Sequence, residues 1–66
     1  MTITATFLGK YSGCIDYNVD QEYELHLWKE SKYFYVNKIG HKDNFGTVMY
    51  SNIFEFLEDW NNIKQN

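Results

Sequence analysis

Hydrophobic and polar residues alternate from the start of the chain. Ile3, Ala5 and Phe7 fall on one side, and Thr2, Thr4 and Thr6 on the other. This period of two marks a half-buried strand, and threonine suits its pleated outer face. Gly9 and Gly13 bracket a loop. Beyond it, Cys14, Ile15, Tyr17 and Val19 predict a short irregular strand, and Asp20-Gln21 predicts a turn.

Alternation resumes over residues 21–29. Tyr23, Leu25 and Leu27 share one face; Glu22, Glu24, His26 and Trp28 share the other. Residues 32–39 are rich in aromatic and β-branched side chains, so the two segments predict a hairpin. With Lys29 facing Lys32, Leu27 faces Phe34 and Leu25 faces Val36, which makes one apolar face. The opposite face then carries Trp28 beside Tyr33, His26 beside Tyr35, and Glu24 beside Asn37. A slip of one residue would mix the faces. Glu30-Ser31 is a poor two-residue turn, so the loop is read as four residues, 29–32.

Residues 40–46 predict a polar loop holding His41, and residues 47–50 a short strand. The period then becomes helical. Ser51 or Asn52 can cap a helix, and Asn52 with Glu55 has capping-box spacing. Ile53, Phe56, Leu57, Trp60 and Ile63 form one stripe with Phe54 on its flank; Glu55, Glu58, Asp59 and Asn62 lie opposite. The expected fold is α+β and mainly β. It is a small curled antiparallel sheet or SH3-like barrel of four to five strands, with one C-terminal helix over an open end or one face. Residues 1–66 form a single domain, and Trp60 is the helix's largest anchor.

Composition raises the question of stability. A domain near 60 residues buries only about 60% of the surface its unfolded chain exposes and usually needs a staple. One cysteine in 66 residues permits no internal disulfide. The 20% aromatic content is the substitute, because each ring can bury roughly 150–250 Å². No apolar run approaches the ~20 residues of a membrane span, and residues 1–8 lack the basic start of a signal peptide. The lone cysteine agrees with a reducing compartment, so the expected location is the cytoplasm.

The candidate chemistry is sparse. Cys14, His26 and His41 are too scattered for a paired zinc pattern, and their spacing supports no Cys-His catalytic pair. Glu22, Glu24, Glu55, Glu58 and Asp59 fall on predicted solvent faces, where nothing shifts a carboxylate towards acid-base work. Gly9 and Gly13 introduce no phosphate motif. No catalytic residue, metal site or cofactor is expected, and the chain does not read as an enzyme. The acidic helix face admits two readings: a solubilising surface, or an imitation of nucleic-acid phosphates.

The aromatic side of the hairpin is the most informative constellation. Trp28, Tyr33, Tyr35 and His26 lie together, away from Leu25, Leu27, Phe34 and Val36. Three readings stand. The helix covers these rings as core; a protein partner covers them, since Trp and Tyr dominate contact hot spots; or they stack the bases of a single strand or a nucleotide. The net charge of −3 and a basic complement made only of lysine weigh against nucleic acid. Lys29, Lys32 and Lys38 are the hairpin's basic support. An edge strand pairing with its copy in a homo-oligomer is a further way to cover a marginal core.

Three stretches carry a resemblance. They are Ile3-Thr4-Ala5-Thr6-Phe7-Leu8-Gly9, Tyr23-Glu24-Leu25-His26-Leu27, and the run from Tyr50-Ser51-Asn52-Ile53 through Phe54-Glu55-Phe56-Leu57-Glu58-Asp59 to Trp60-Asn61-Asn62-Ile63. Together they resemble small uncharacterised proteins encoded by phages and prophages of low-GC Gram-positive bacteria. The resemblance implies a protein that binds and blocks a host or anti-phage defence component in the host cytoplasm. It transfers no functional residues.

Overall fold

The computed structural model describes residues 1–40 and 46–66. Five strands and one helix follow in chain order: β1 Thr2–Phe7, β2 Glu22–Glu30, β3 Tyr33–Lys38, β4 Val48–Tyr50, α1 Ile53–Asp59 and β5 Trp60–Gln65. The strands form one sheet in the order β4-β3-β2-β1-β5, with every neighbouring pair antiparallel. The α+β, mainly β class expected from the alternation is the class observed. In a flat sheet, strands spaced about 4.8 Å would set the two edge strands roughly 19 Å apart. Yet Trp60 on β5 donates from Nε1 to the Tyr50 hydroxyl on β4 at 2.9 Å. The sheet is therefore curled until its edges meet at this corner.

The inner face is the one the alternation marks. Ile3, Ala5, Phe7, Leu25, Val36 and Tyr50 are buried, with Tyr23, Leu27, Phe34 and Val48 packed against them. Phe7, Tyr17 and Trp60 form the aromatic centre, with ring centroids 4.9–5.3 Å apart. Their tilted and edge-on contacts suit the ring quadrupole.

The fold departs from the sequence expectation in several details. The hairpin pairs Lys29 with Phe34, Leu27 with Val36 and Trp28 with Tyr35, two residues away from the Lys29–Lys32 register. A shift of two preserves both faces. The tight turn is Ser31-Lys32, with Ser31 at φ 58° and Lys32 outside the left-handed region, the pattern of a type II′ hairpin. This register also avoids setting two lysines opposite each other.

Residues 14–19 are not a strand. They form turns that drop Tyr17 into the core and leave Ile15 and Val19 exposed. Asp20 at φ 70° makes the expected turn, and its N–H donates to the Phe7 carbonyl at 2.8 Å.

The helix starts where the capping box places it. The Asn52 side chain accepts from Glu55 N–H at 3.0 Å, and Glu55 reaches back to Ser51 N–H at 2.7 Å. It ends at Asp59, well short of Ile63. Trp60 is extended, at φ −136° and ψ 134°, and the chain continues as β5 along β1. Asn61 and Asn62 are weak helix formers, and β1 offers an unpaired edge. Asn62, at φ 51°, sits in a bulge where the β1–β5 register shifts between Thr4 and Thr6.

Because the helix ends at Asp59, the stripe does not close over the sheet as one helix face. Phe56 and Trp60 are buried, whereas Ile53, Leu57 and Ile63 are exposed. Among the described residues no helix is long and apolar enough to cross a membrane.

Candidate binding face

Strand parity sends Trp28, Tyr33, Tyr35 and His26 to the outer face of the sheet, opposite Leu25 and Val36. The two-residue turn makes Trp28 and Tyr35 direct cross-strand partners. Their rings stack at 5.3 Å and 11°. His26, two residues before Trp28 on the same strand, meets its ring edge-on at 5.3 Å. Tyr33 pairs with Glu30 at the end of the hairpin, and Lys32 Nζ lies 5.6 Å from its ring centroid. On the next strand Met49 pairs with Tyr35 and is 49% exposed. The four expected residues are thus brought together, and Met49 extends their face towards the sheet edge.

The helix does not cover them. α1 packs against β4 and β5 and sends Phe56 into the core. Trp28, Tyr33 and Tyr35 remain half-buried and His26 exposed. The reading of these rings as core beneath the helix is therefore overturned.

The charges around the rings are mixed. Glu22, Glu24 and Glu30 share the outer parity with the aromatics. Of the hairpin lysines, Lys38 is held on the inner side. It donates to the Asp16 carbonyl at 2.9 Å and lies over the Tyr23 and Tyr17 rings. Lys29 lies over Phe34, also on the inner parity. Lys32 is the lysine that flanks the outer rings directly.

Asp59 is fully buried, not on the solvent face expected for it with Glu55 and Glu58. One carboxylate oxygen accepts from Tyr11 N–H at 2.7 Å and Ser12 N–H at 3.1 Å; the other accepts from Ser12 N–H at 3.2 Å and the Tyr50 hydroxyl at 2.7 Å. The Tyr50 oxygen in turn accepts from Trp60 Nε1. Among the described residues no buried side-chain polar atom lacks a partner. Burial, reinforced by the hydrogen bond to Asp59, pushes the Tyr50 phenol well above its ordinary range. Burial does the same to Tyr17, whose hydroxyl donates to the Gly46 carbonyl. Tyr11 is raised chiefly through its hydrogen bond with Glu55. This cluster ties the 11–12 loop, β4 and β5 into one corner. A helical-wheel reading could not find it, because the signal is the strand that begins at Trp60.

Cys14 is partly buried against the core, its Sγ 3.9 Å from Asp16 Oδ2. No group of three or more metal-ligating side chains occurs among the described residues. His41, and with it most of the predicted 40–46 loop, lies outside those residues. Comparison with protein-family models, curated proteins and solved structures returned no match.

Proposed function

We propose that this is a non-enzymatic binding protein that grips a partner protein with the outer face of the β2–β3 hairpin. Trp28, Tyr33, Tyr35 and His26 make the contact. The carrying observation is the Trp28–Tyr35 stack on the side of the sheet away from the core. Large rings held in one orientation lose little conformational entropy when a partner covers them. Single-stranded nucleic acid is the weaker reading, since Glu22, Glu24 and Glu30 share the face and one lysine flanks it. The expected partner class, a bacterial host or anti-phage defence protein met in the cytoplasm, rests on the resemblance to small phage proteins.

A photo-crosslinking residue at position 35, with the same residue at exposed Gln21 as control, tests the surface in cells. The expected result is one adduct specific to position 35. Equal adducts from both positions would contradict the assignment. Trp60 is buried and Trp28 is not, so tryptophan quenching by single-stranded oligonucleotides at low salt would report at Trp28. Quenching there would favour the nucleic-acid reading.

A further inference from the structure

Helix α1 turns its apolar arc outwards. At 100° per residue, Ile53, Leu57, Phe54 and Glu58 follow one another round about 140° of its circumference. Phe56 and Asp59 occupy the buried side. Ile53 is 42% exposed, Leu57 47% and Phe54 75%. A surface helix ordinarily shows the reverse pattern. Phe54 and Glu58 are neighbours at the i, i+4 spacing, so the arc offers a bare ring beside a carboxylate.

A complementary feature lies at the end of the hairpin. Met1, Leu27, Trp28, Lys29 and Phe34 line an apolar notch of about 270 Å³. This falls just under the roughly 300–1,000 Å³ of small-molecule sites and suits one bulky side chain. Lys29 Nζ stands over the Phe34 ring at 5.7 Å and is the lysine that lines the notch. Glu30 is the single acid of residues 29–32. The notch therefore joins an apolar floor to the Lys29 ammonium, in a chain whose net charge is −3.

The two features lie close together in the fold. Phe34 of the notch pairs with Tyr50, and after Ser51 and Asn52 the chain enters α1. A surface carrying both halves of a complementary contact is suited to an isologous pair, in which each copy gives what the other receives. We propose that two copies of the chain associate about a twofold axis. The Phe54 ring of each enters the hairpin notch of the other, and Glu58 of each faces Lys29 of the other. The contact is small, which places it among weak, concentration-dependent associations.

Sedimentation equilibrium from low-micromolar to millimolar concentration tests this, with circular dichroism to check folding. Wild type should show a monomer–dimer equilibrium. Phe54→Ala, Lys29→Glu and Glu58→Lys should each weaken it by about tenfold or more. An equal mixture of Lys29→Glu and Glu58→Lys should restore association, because both contacts again pair opposite charges. The proposal is overturned by a wild-type monomer throughout, by Phe54→Ala dimerising as wild type does, or by a mixture no tighter than either variant alone. Lys29 adjoins Trp28, which also lines the notch, so Phe54→Ala and Glu58→Lys, both on the helix, are the variants that test this contact apart from the proposed partner face.

Discussion

The Tyr50 hydroxyl donates to the Asp59 carboxylate at 2.7 Å, although Tyr50 ends β4 at one edge of the sheet and Asp59 is the last residue of α1, leading into β5 at the other edge. The same hydroxyl accepts from Trp60. In a chain with no disulfide, this corner joins the two sheet edges. Losing Asp59 would take the acceptor from the buried Tyr50 hydroxyl and from the partly buried Tyr11 and Ser12 amides. Hydrogen bonds to a charged group contribute about 1.5–3 kcal/mol each. Asp59→Ala should therefore cost about 3 kcal/mol or more, and Tyr50→Phe about 2 kcal/mol. Stabilities near 0.05–0.15 kcal/mol per residue make the first loss comparable to the whole. Urea denaturation of both variants measures the two costs. A loss below about 1 kcal/mol for Asp59→Ala would contradict the role given to this corner.

The two buried phenols predict sensitivity to alkali. Tyr17 and Tyr50 both ionise, in the folded protein, above the ordinary value of 10.0. Below about pH 10 the folded and unfolded chains both keep these protons, and the full stability is present. Above it the unfolded chain releases protons that the folded chain retains, so stability falls as pH rises. The slope is at most about 1.4 kcal/mol per pH unit for each group. Denaturation midpoints should change little on account of these groups between pH 8 and 10 and then drop. Tyr50→Phe, starting from lower stability, should show a shallower fall above pH 10. An equally steep fall in that variant would remove Tyr50 from the explanation.

The glycines offer a controlled comparison. Gly13 and Gly46 share a left-handed backbone, at φ 58° and 68°. A Cβ on Gly13 would meet nothing within 4 Å, whereas one on Gly46 would stand 2.6 Å from the Tyr17 hydroxyl oxygen. Gly13→Ala should cost about 1 kcal/mol, from the backbone alone. Gly46→Ala should cost about 1–3 kcal/mol more through overpacking. Thermal melts of the pair decide it, and equal costs would contradict the packing of Tyr17 against Gly46.

Much of this architecture is legible in the alternation. Ile3, Ala5 and Phe7 face the core as their spacing predicts, and the hairpin faces survive a two-residue error in register because side-chain direction repeats every second residue. The helix end was not legible. Asn61 and Asn62 hint at a stop, but the stripe through Trp60 and Ile63 fits a helix equally well. Only the free edge of β1, a tertiary feature, selects the strand. Asp59 followed that error, since its burial depends on where the helix ends. The outer aromatics were found because parity alone puts Trp28 and Tyr35 opposite Leu25 and Val36.

If the Trp28–Tyr35 face serves binding while the core and the Tyr50–Asp59–Trp60 corner hold the fold, the double variant Trp28→Ala, Tyr35→Ala separates the two directly. Loss of one cross-strand aromatic pair should cost about 1 kcal/mol, leaving a cooperative urea transition. The measurement is the affinity of this folded variant for the protein crosslinked from position 35, purified and titrated beside wild type. The variant should stay folded while its affinity falls by about a hundredfold. A variant that binds as wild type does, or that cannot fold, would contradict it.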